Sequence, residues 1–361
     1  MIIAVKSINE MNDMFSDVKP MDFSGMGLME ATYHCQEMIN ESWEELKFSI
    51  MSEEYKYLYE NGTEMIYEED SFADKAKGAM GNAKNAMAGA KAAAGEKLSN
   101  VTDKIVALVK KFIAMVSGLV NKAVSNIRAH AISVSSKAAG GKKMSKNDFL
   151  AKANELVWND HIEDRCKYGF TVDPFKLGSE ANRMIVSFDT DISEVKSAQD
   201  VVKELTREFT NEDAKYFTPE RVYDCVYNGF KEIGKGILDL KKDADKKANE
   251  AIKTAKAASS DKLSVLMERY KKAQKANINT ISGMLSVWNI YARQCTLLVK
   301  VVKAVDKISK QSDPDKSNKV AFKQGKALGK RTDKVDDKND RAINGKKLFR
   351  EKKARAAAGQ E

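Results

Sequence analysis

At 361 residues the chain exceeds the roughly 100–200 residues of one typical domain, so two or three structural units are expected. Hydrophobic residues make up 43 %, enough for a core, while 31 % charged residues and only 4 Pro favour long exposed helices over a thick globular interior. The four cysteines, Cys35, Cys166, Cys225 and Cys295, form no C-x-x-C pair; they argue against a dense disulfide framework and read as free thiols in a reducing compartment.

The net charge of +9 hides blocks of opposite sign. Residues 1–74 carry 17 acidic and 4 basic side chains, and 75–147 carry 14 basic and 2 acidic. Residues 148–309 are nearly balanced at 27 basic and 25 acidic, and 310–361 hold 16 basic and 8 acidic. An acidic head followed by a basic segment of matching size suggests that the two fold on each other or on copies of each other; solvated helix faces are the plainer alternative.

The N-terminus reaches Glu10 and Asp13 without a basic n-region or a long apolar stretch, so no signal peptide is expected. From Met29 to Tyr59, Met38, Ile39, Trp43, Leu46, Ile50, Tyr57 and Leu58 recur at three- and four-residue steps, an amphipathic helix stopping at Asn61-Gly62. Asn61-Gly62-Thr63 fits a glycosylation sequon, which has no meaning without secretion. Residues 72–95 are a low-complexity run of Ala, Gly, Lys, Met and Asn, a weak helix that needs a surface to form on.

Across 103–135, Ile105, Leu108, Val109, Phe112, Val116, Leu119, Val120, Val124 and Ile127 share one face, and Lys104, Lys110, Lys111, Lys122 and Arg128 flank it. Such a stripe suits a lipid headgroup layer or an apolar groove of a partner, and equally an ordinary bundle helix. Its longest uncharged stretch, Phe112 to Asn121, is half of the roughly 20 residues a spanning helix needs, so no transmembrane helix is expected.

Ala138-Ala139-Gly140-Gly141 is a flexible break, and Ser145 with Asp148 resembles a cap opening a helix that reaches Lys167. Residues 169–187 are the least helical stretch, and Met184 to Phe188 reads as a short strand. Helix is expected again from Ile192 to Phe209, then from Thr218-Pro219-Glu220, where Thr caps and Pro occupies the first helical position. That last helix runs to about Ala258, and after Ser259-Ser260-Asp261 another carries apolar residues from Leu263 to Val305, together a coiled-coil-like antiparallel hairpin.

Residues 310–361 are poor in apolar side chains and rich in Lys, Asp and Asn, so they are expected to be disordered until a partner supplies a core. Their Lys323, Lys326, Lys330, Arg331, Lys346, Lys347, Arg350, Lys352, Lys353 and Arg355 are candidate contacts to a polyanion, weak, salt-sensitive and without sequence preference. The expectation is therefore all-α: an elongated helical protein with a long antiparallel helical hairpin, an amphipathic helix and a disordered basic C-terminal tail. Its regions are an acidic helical head (1–74), a Lys/Ala/Gly-rich amphipathic segment (75–142), a helical body (143–309) and the tail (310–361).

Catalytic and cofactor motifs fail. The three histidines, His34, His130 and His161, are isolated, so no Cys/His or histidine-rich metal spacing can be drawn. His161-x-Glu163 with Cys166 lacks the P-C-x-x-C of a zinc deaminase, and Gly325-x-x-x-Gly329-Lys330 is one residue short of a phosphate loop and follows no strand. Paired acids such as Glu44-Glu45 and Glu53-Glu54 read as exposed helix faces. No catalytic residue, metal or cofactor is assigned, and no small-molecule substrate is expected.

The acidic opening helix, the phrase Tyr59-Glu60-Asn61-Gly62-Thr63-Glu64-Met65-Ile66-Tyr67-Glu68, the Lys/Ala-rich stretch and the long hairpin together resemble internal or structural virion proteins of large tailed bacteriophages. The likeness is clearest over residues 30–130 and looser over Tyr223 to Val305. It implies a non-enzymatic virion component, packed with the genome or delivered with it, found in the virion or in the host cytoplasm during assembly. The partners it implies are other virion proteins or copies of itself, and nucleic acid without sequence preference. Leu28-Met29-Glu30 and Leu266-Met267-Glu268 also resemble the short L-x-E maturation-protease sites of some phage heads. A membrane-active protein using the 103–135 helix, and a cytosolic scaffold or host-takeover factor, are the alternatives from other classes.

Overall fold

The computed structural model describes residues 18–62, 101–131, 145–147, 184–206, 228–258 and 260–324, together with residues 224, 326, 327, 330, 334, 335, 337 and 338. Of the interpretable part, 83 % is helical and none is strand, so the class is all-α. In chain order the helices are α1 (Leu28–Gly62), α2 (101–131), α3 (Ala198–Leu205), α4 (Gly229–Ala257), α5 (Ser260–Ser309) and α6 (314–324).

The organising element is α5, whose 50 residues at 1.5 Å each make a rod of about 75 Å. Helix α4 folds back on it after Ala258, an extended residue (φ −77°, ψ 143°) at the place where Ser259-Ser260-Asp261 interrupts the helical pattern. The pairs open outward from that turn: the Tyr270 hydroxyl donates to the Ala251 carbonyl at 2.8 Å, Trp288 lies against Gly236, and Tyr291 against Gly229. This is the expected antiparallel hairpin, buried along Phe230, Ile233, Ile237, Leu240, Ala244, Ala248, Ala251 and Ala255 of α4.

Helix α1 also runs antiparallel to α5. Thr32 meets Ser282, Gln36 meets Asn279 at 3.0 Å, Trp43 donates its indole N–H to Gln274 at 2.9 Å, and Glu44 pairs with Lys271. Its start is set by Glu30, whose carboxylate accepts the Gly27 N–H at 3.2 Å, an acid placed where the first helical N–H groups lack partners. Helix α2 runs parallel to α5: Gln274 donates to the Leu108 carbonyl at 3.4 Å, and twenty-two residues further on in both helices His130 meets Thr296 at 3.2 Å.

The acidic head and the basic segment thus pack on each other where both are described. Lys104 and Lys111 of α2 reach the hydroxyls of Ser49 and Ser42 of α1 at 2.8 and 2.9 Å, contacts made to neutral groups rather than to carboxylates. The segment preceding α1 crosses α2 at close quarters. The Met21 N–H donates to the Ala114 carbonyl at 3.0 Å, and Gly118 lies beneath Met21 and Phe23, where a Cβ would collide with the Met21 carbonyl and the Phe23 ring.

Three expectations are revised. Met184 to Phe188 forms no strand; the residues after Met184 are irregular, and the backbone of Val186 is paired by a side chain of α5. The helix expected over 192–209 begins only at Ala198, because Ser197 and Asp200 form a reciprocal capping box, and it ends at the extended Thr206. The tail opens with helix α6, where Asp313 Oδ1 accepts the N–H groups of Asp315 and Lys316 at 3.0 and 3.4 Å and Pro314 takes the first helical position. The expected helices over 72–95, from Ser145 to Lys167 beyond residue 147, and from Pro219 to Tyr223 lie outside the described residues.

Candidate functional site

The apolar stripe of α2 is inside the protein. Ile105, Val109, Phe112, Val116, Leu119, Val120, Val124 and Ile127 are buried, and Leu108 is half-buried against the same core. Residues 112–120 are buried without interruption, including Ile113, Ala114, Met115, Ser117 and Gly118, which lie off the stripe. Over that run α2 is a central helix enclosed on every side, not one with a single apolar face. Its cations stand at the two ends of the run: Lys104, Lys110 and Lys111 before it, Lys122 and Arg128 after it. Among the described residues no helix is long and apolar enough to cross a membrane.

Several polar groups in the interior hold elements together. Gln274 receives the Trp43 indole N–H and donates to the Leu108 carbonyl, so one side chain joins α1, α5 and α2. Asn277, fully buried, exchanges two hydrogen bonds with the Val186 backbone, and the Lys247 ammonium donates to the Ile185 carbonyl beside it. Phe188 from the same segment stacks edge-on between Phe112 of α2 and Tyr270 of α5, with ring centroids at 5.2 and 5.6 Å.

Several titratable groups are buried among these helices. Burial pushes the Cys35 thiol up to about 12, so the nucleophilic thiolate is scarce at neutral pH. Burial and the nearby Asp189 carboxylate push the Tyr270 phenol up to about 12, and its hydroxyl serves Ala251. Lys241 and Asp245 form an ion pair within α4 whose side chains are 4 % and 10 % exposed, and burial raises the Asp245 pKa in spite of Lys241. Among the described residues, no group of three or more His, Cys, Asp or Glu could hold a metal ion.

Both L-x-E sequences are helical. Leu28-Met29-Glu30 is the first turn of α1, and Leu266-Met267-Glu268 lies within α5 with Leu266 buried.

The surface differs from the interior in kind. Of the ten candidate polyanion contacts, Lys323, Lys326 and Lys330 are described, helical and exposed, while Arg331, Lys346, Lys347, Arg350, Lys352, Lys353 and Arg355 lie outside the described residues. The structure adds Lys316, Lys319 and Lys334 to them, each helical and exposed. Every described residue from 314 to 338 is helical. At about 100° per residue, Lys316, Lys319 and Lys323 of α6 fall within about 60° of one another around the helix. The three- and four-residue spacing of these lysines was readable in the sequence, but its meaning depends on the Asp313 cap that makes the segment a helix.

No protein-family model, curated protein or solved structure matches this chain.

Proposed function

We propose that the chain is a non-enzymatic structural or internal virion protein of a tailed bacteriophage, acting through helix packing and through electrostatic contacts with the genome or with other virion proteins. The observation that carries this reading is a division of labour between body and tail. The buried side chains of Gln274, Asn277 and Trp43 tie elements of the body together, whereas Lys316, Lys319 and Lys323 of the tail are exposed on one side of the capped helix α6. The virion assignment comes from the sequence resemblance over residues 30–130, whose acidic opening helix is α1 and whose basic amphipathic stretch includes α2.

Two measurements test it. Mass spectrometry of purified particles should find the chain among the structural proteins; its presence in infected cells and absence from particles would overturn the virion reading. Co-sedimentation with duplex DNA across a salt series should show binding that weakens as salt rises, because lysine contacts release counterions from phosphates.

A further inference from the structure

We infer that α6 of one copy of the chain docks antiparallel on the outer face of α1 of a second copy, with Lys316, Lys319 and Lys323 set opposite Glu44, Glu41 and Glu37. The inference goes beyond the virion reading and does not depend on it. Helix α1 packs Cys35, Ile39, Trp43 and Leu46 into the core and turns Tyr33, Glu37, Glu41 and Glu44 outward. Glu44 pairs with Lys271 and still leaves its side chain 62 % exposed, while Glu37 and Glu41 have no cation partner among the described residues. The neighbouring lysines of α2 do not answer them, because Lys104 and Lys111 reach serine hydroxyls. On α6, Lys319 and Lys323 are likewise exposed without a carboxylate partner among the described residues, and Lys316 pairs with Asp313 at 3.5 Å. Tyr33, 64 % exposed, and Phe322, 74 % exposed, add apolar surface to the two faces.

Spacing and reach name the partner. From Lys316 the lysines step forward by three and then four residues; from Glu44 the acids step backward by three and then four. Antiparallel helices therefore bring all three pairs level, with successive rungs about 4.5 and 6 Å apart. The same chain cannot make this contact. Lys271, which holds Glu44, stands 38 residues before the end of α5 at Ser309, or about 57 Å along that helix. Only seven residues lead from Ser309 to Lys316, at most about 25 Å of extended chain. Lys316 thus meets Glu44 of another copy and not its own. Each copy carries both faces, so the contact is head to tail and repeats from copy to copy. Phosphates compete for the same lysines, so α6 holds either a neighbouring copy or DNA.

The test is sedimentation velocity of the full-length protein over a concentration series at low and high salt, without nucleic acid. Exposed ion pairs are individually weak and screened by salt, so the wild type should associate at low salt and return to monomer at high salt. One variant carries Lys319→Glu with Lys323→Glu, another Glu37→Lys with Glu41→Lys, and a third all four changes. Each of the first two should associate about tenfold more weakly or worse, because like charges then face each other. An equimolar mixture of the two, and the third variant alone, should recover wild-type association to within about threefold. The third variant keeps the net charge of +9, so its recovery cannot come from a change in overall repulsion. Far-UV dichroism checks that each variant keeps its helices, and the α6 reversal, made on exposed side chains, decides alone if the α1 reversal does not fold. A wild type that stays monomeric throughout, reversal that leaves association unchanged, or folded variants that do not recover on mixing would each overturn the contact.

Discussion

The amide of Asn277 stands in for a neighbouring strand at Val186: its Oδ1 accepts the Val186 N–H at 2.8 Å, and its Nδ2 donates to the Val186 carbonyl at 3.0 Å. An irregular segment buried between helices has no ladder to satisfy its backbone, and each unpaired group would cost about 1–3 kcal/mol. We therefore expect Asn277→Ala to destabilise the protein by about 2–4 kcal/mol in urea titration, through two orphaned backbone groups. A loss under about 0.5 kcal/mol would mean that the exchange is not a structural tie.

Gly118 sits where the chain leading to α1 crosses α2, and a Cβ there would run into the Met21 carbonyl. Backbone cannot yield as a flexible side chain can. We expect Gly118→Ala to cost about 1–3 kcal/mol, while Gly25→Ala, whose Cβ would meet nothing within 4 Å, should be close to neutral. Equal thermal midpoints for the two variants would show that the crossing is looser than described.

The buried Lys241–Asp245 pair gives a test by substitution and by pH. Removing Lys241 alone with Lys241→Met leaves a buried carboxylate and should cost about 3–5 kcal/mol, whereas Lys241→Met with Asp245→Leu should be neutral or stabilising. Because burial raises the Asp245 pKa above its unfolded value, the folded state holds its proton more tightly. Its contribution to stability is fully present below the unfolded pKa and is lost as pH rises through the folded one. Asp245→Asn should remove that component from the wild-type pH profile. An unchanged profile would contradict the burial.

Cys35 reports on whether α1 stays on the core. In a Cys166→Ser/Cys225→Ser background, a thiol reagent should leave Cys35 unmodified under native conditions and label it after unfolding. Labelling prompted by anionic vesicles at neutral pH would show α1 lifting away and would revive a membrane role for α2.

Much of the architecture was legible because it is local. The three- and four-residue spacing from Met38 to Leu58 with Asn61-Gly62 after it defines α1, and Ser259-Ser260-Asp261 marks the hairpin turn. The Ser197–Asp200 box and the Asp313-Pro314 cap were equally local, yet the surrounding composition obscured them. What could not be read was the identity of distant partners. The apolar residues of Met184 to Phe188 signal burial, but nothing in their order says that the partner is Asn277, 91 residues from Val186 and inside a helix. The uncharged run from Phe112 to Asn121 signals enclosure, but a stripe alone does not tell a groove, a bilayer and a core apart.

Hydrogen exchange followed by mass spectrometry, with and without a mixed-sequence DNA duplex, bears most directly on the proposal of a closed helical body with an exposed basic tail that contacts the genome. We expect exchange to slow across 314–338 when DNA is bound and to stay unchanged across 101–131. Bound DNA without protection in 314–338, or faster exchange in 101–131, would contradict it.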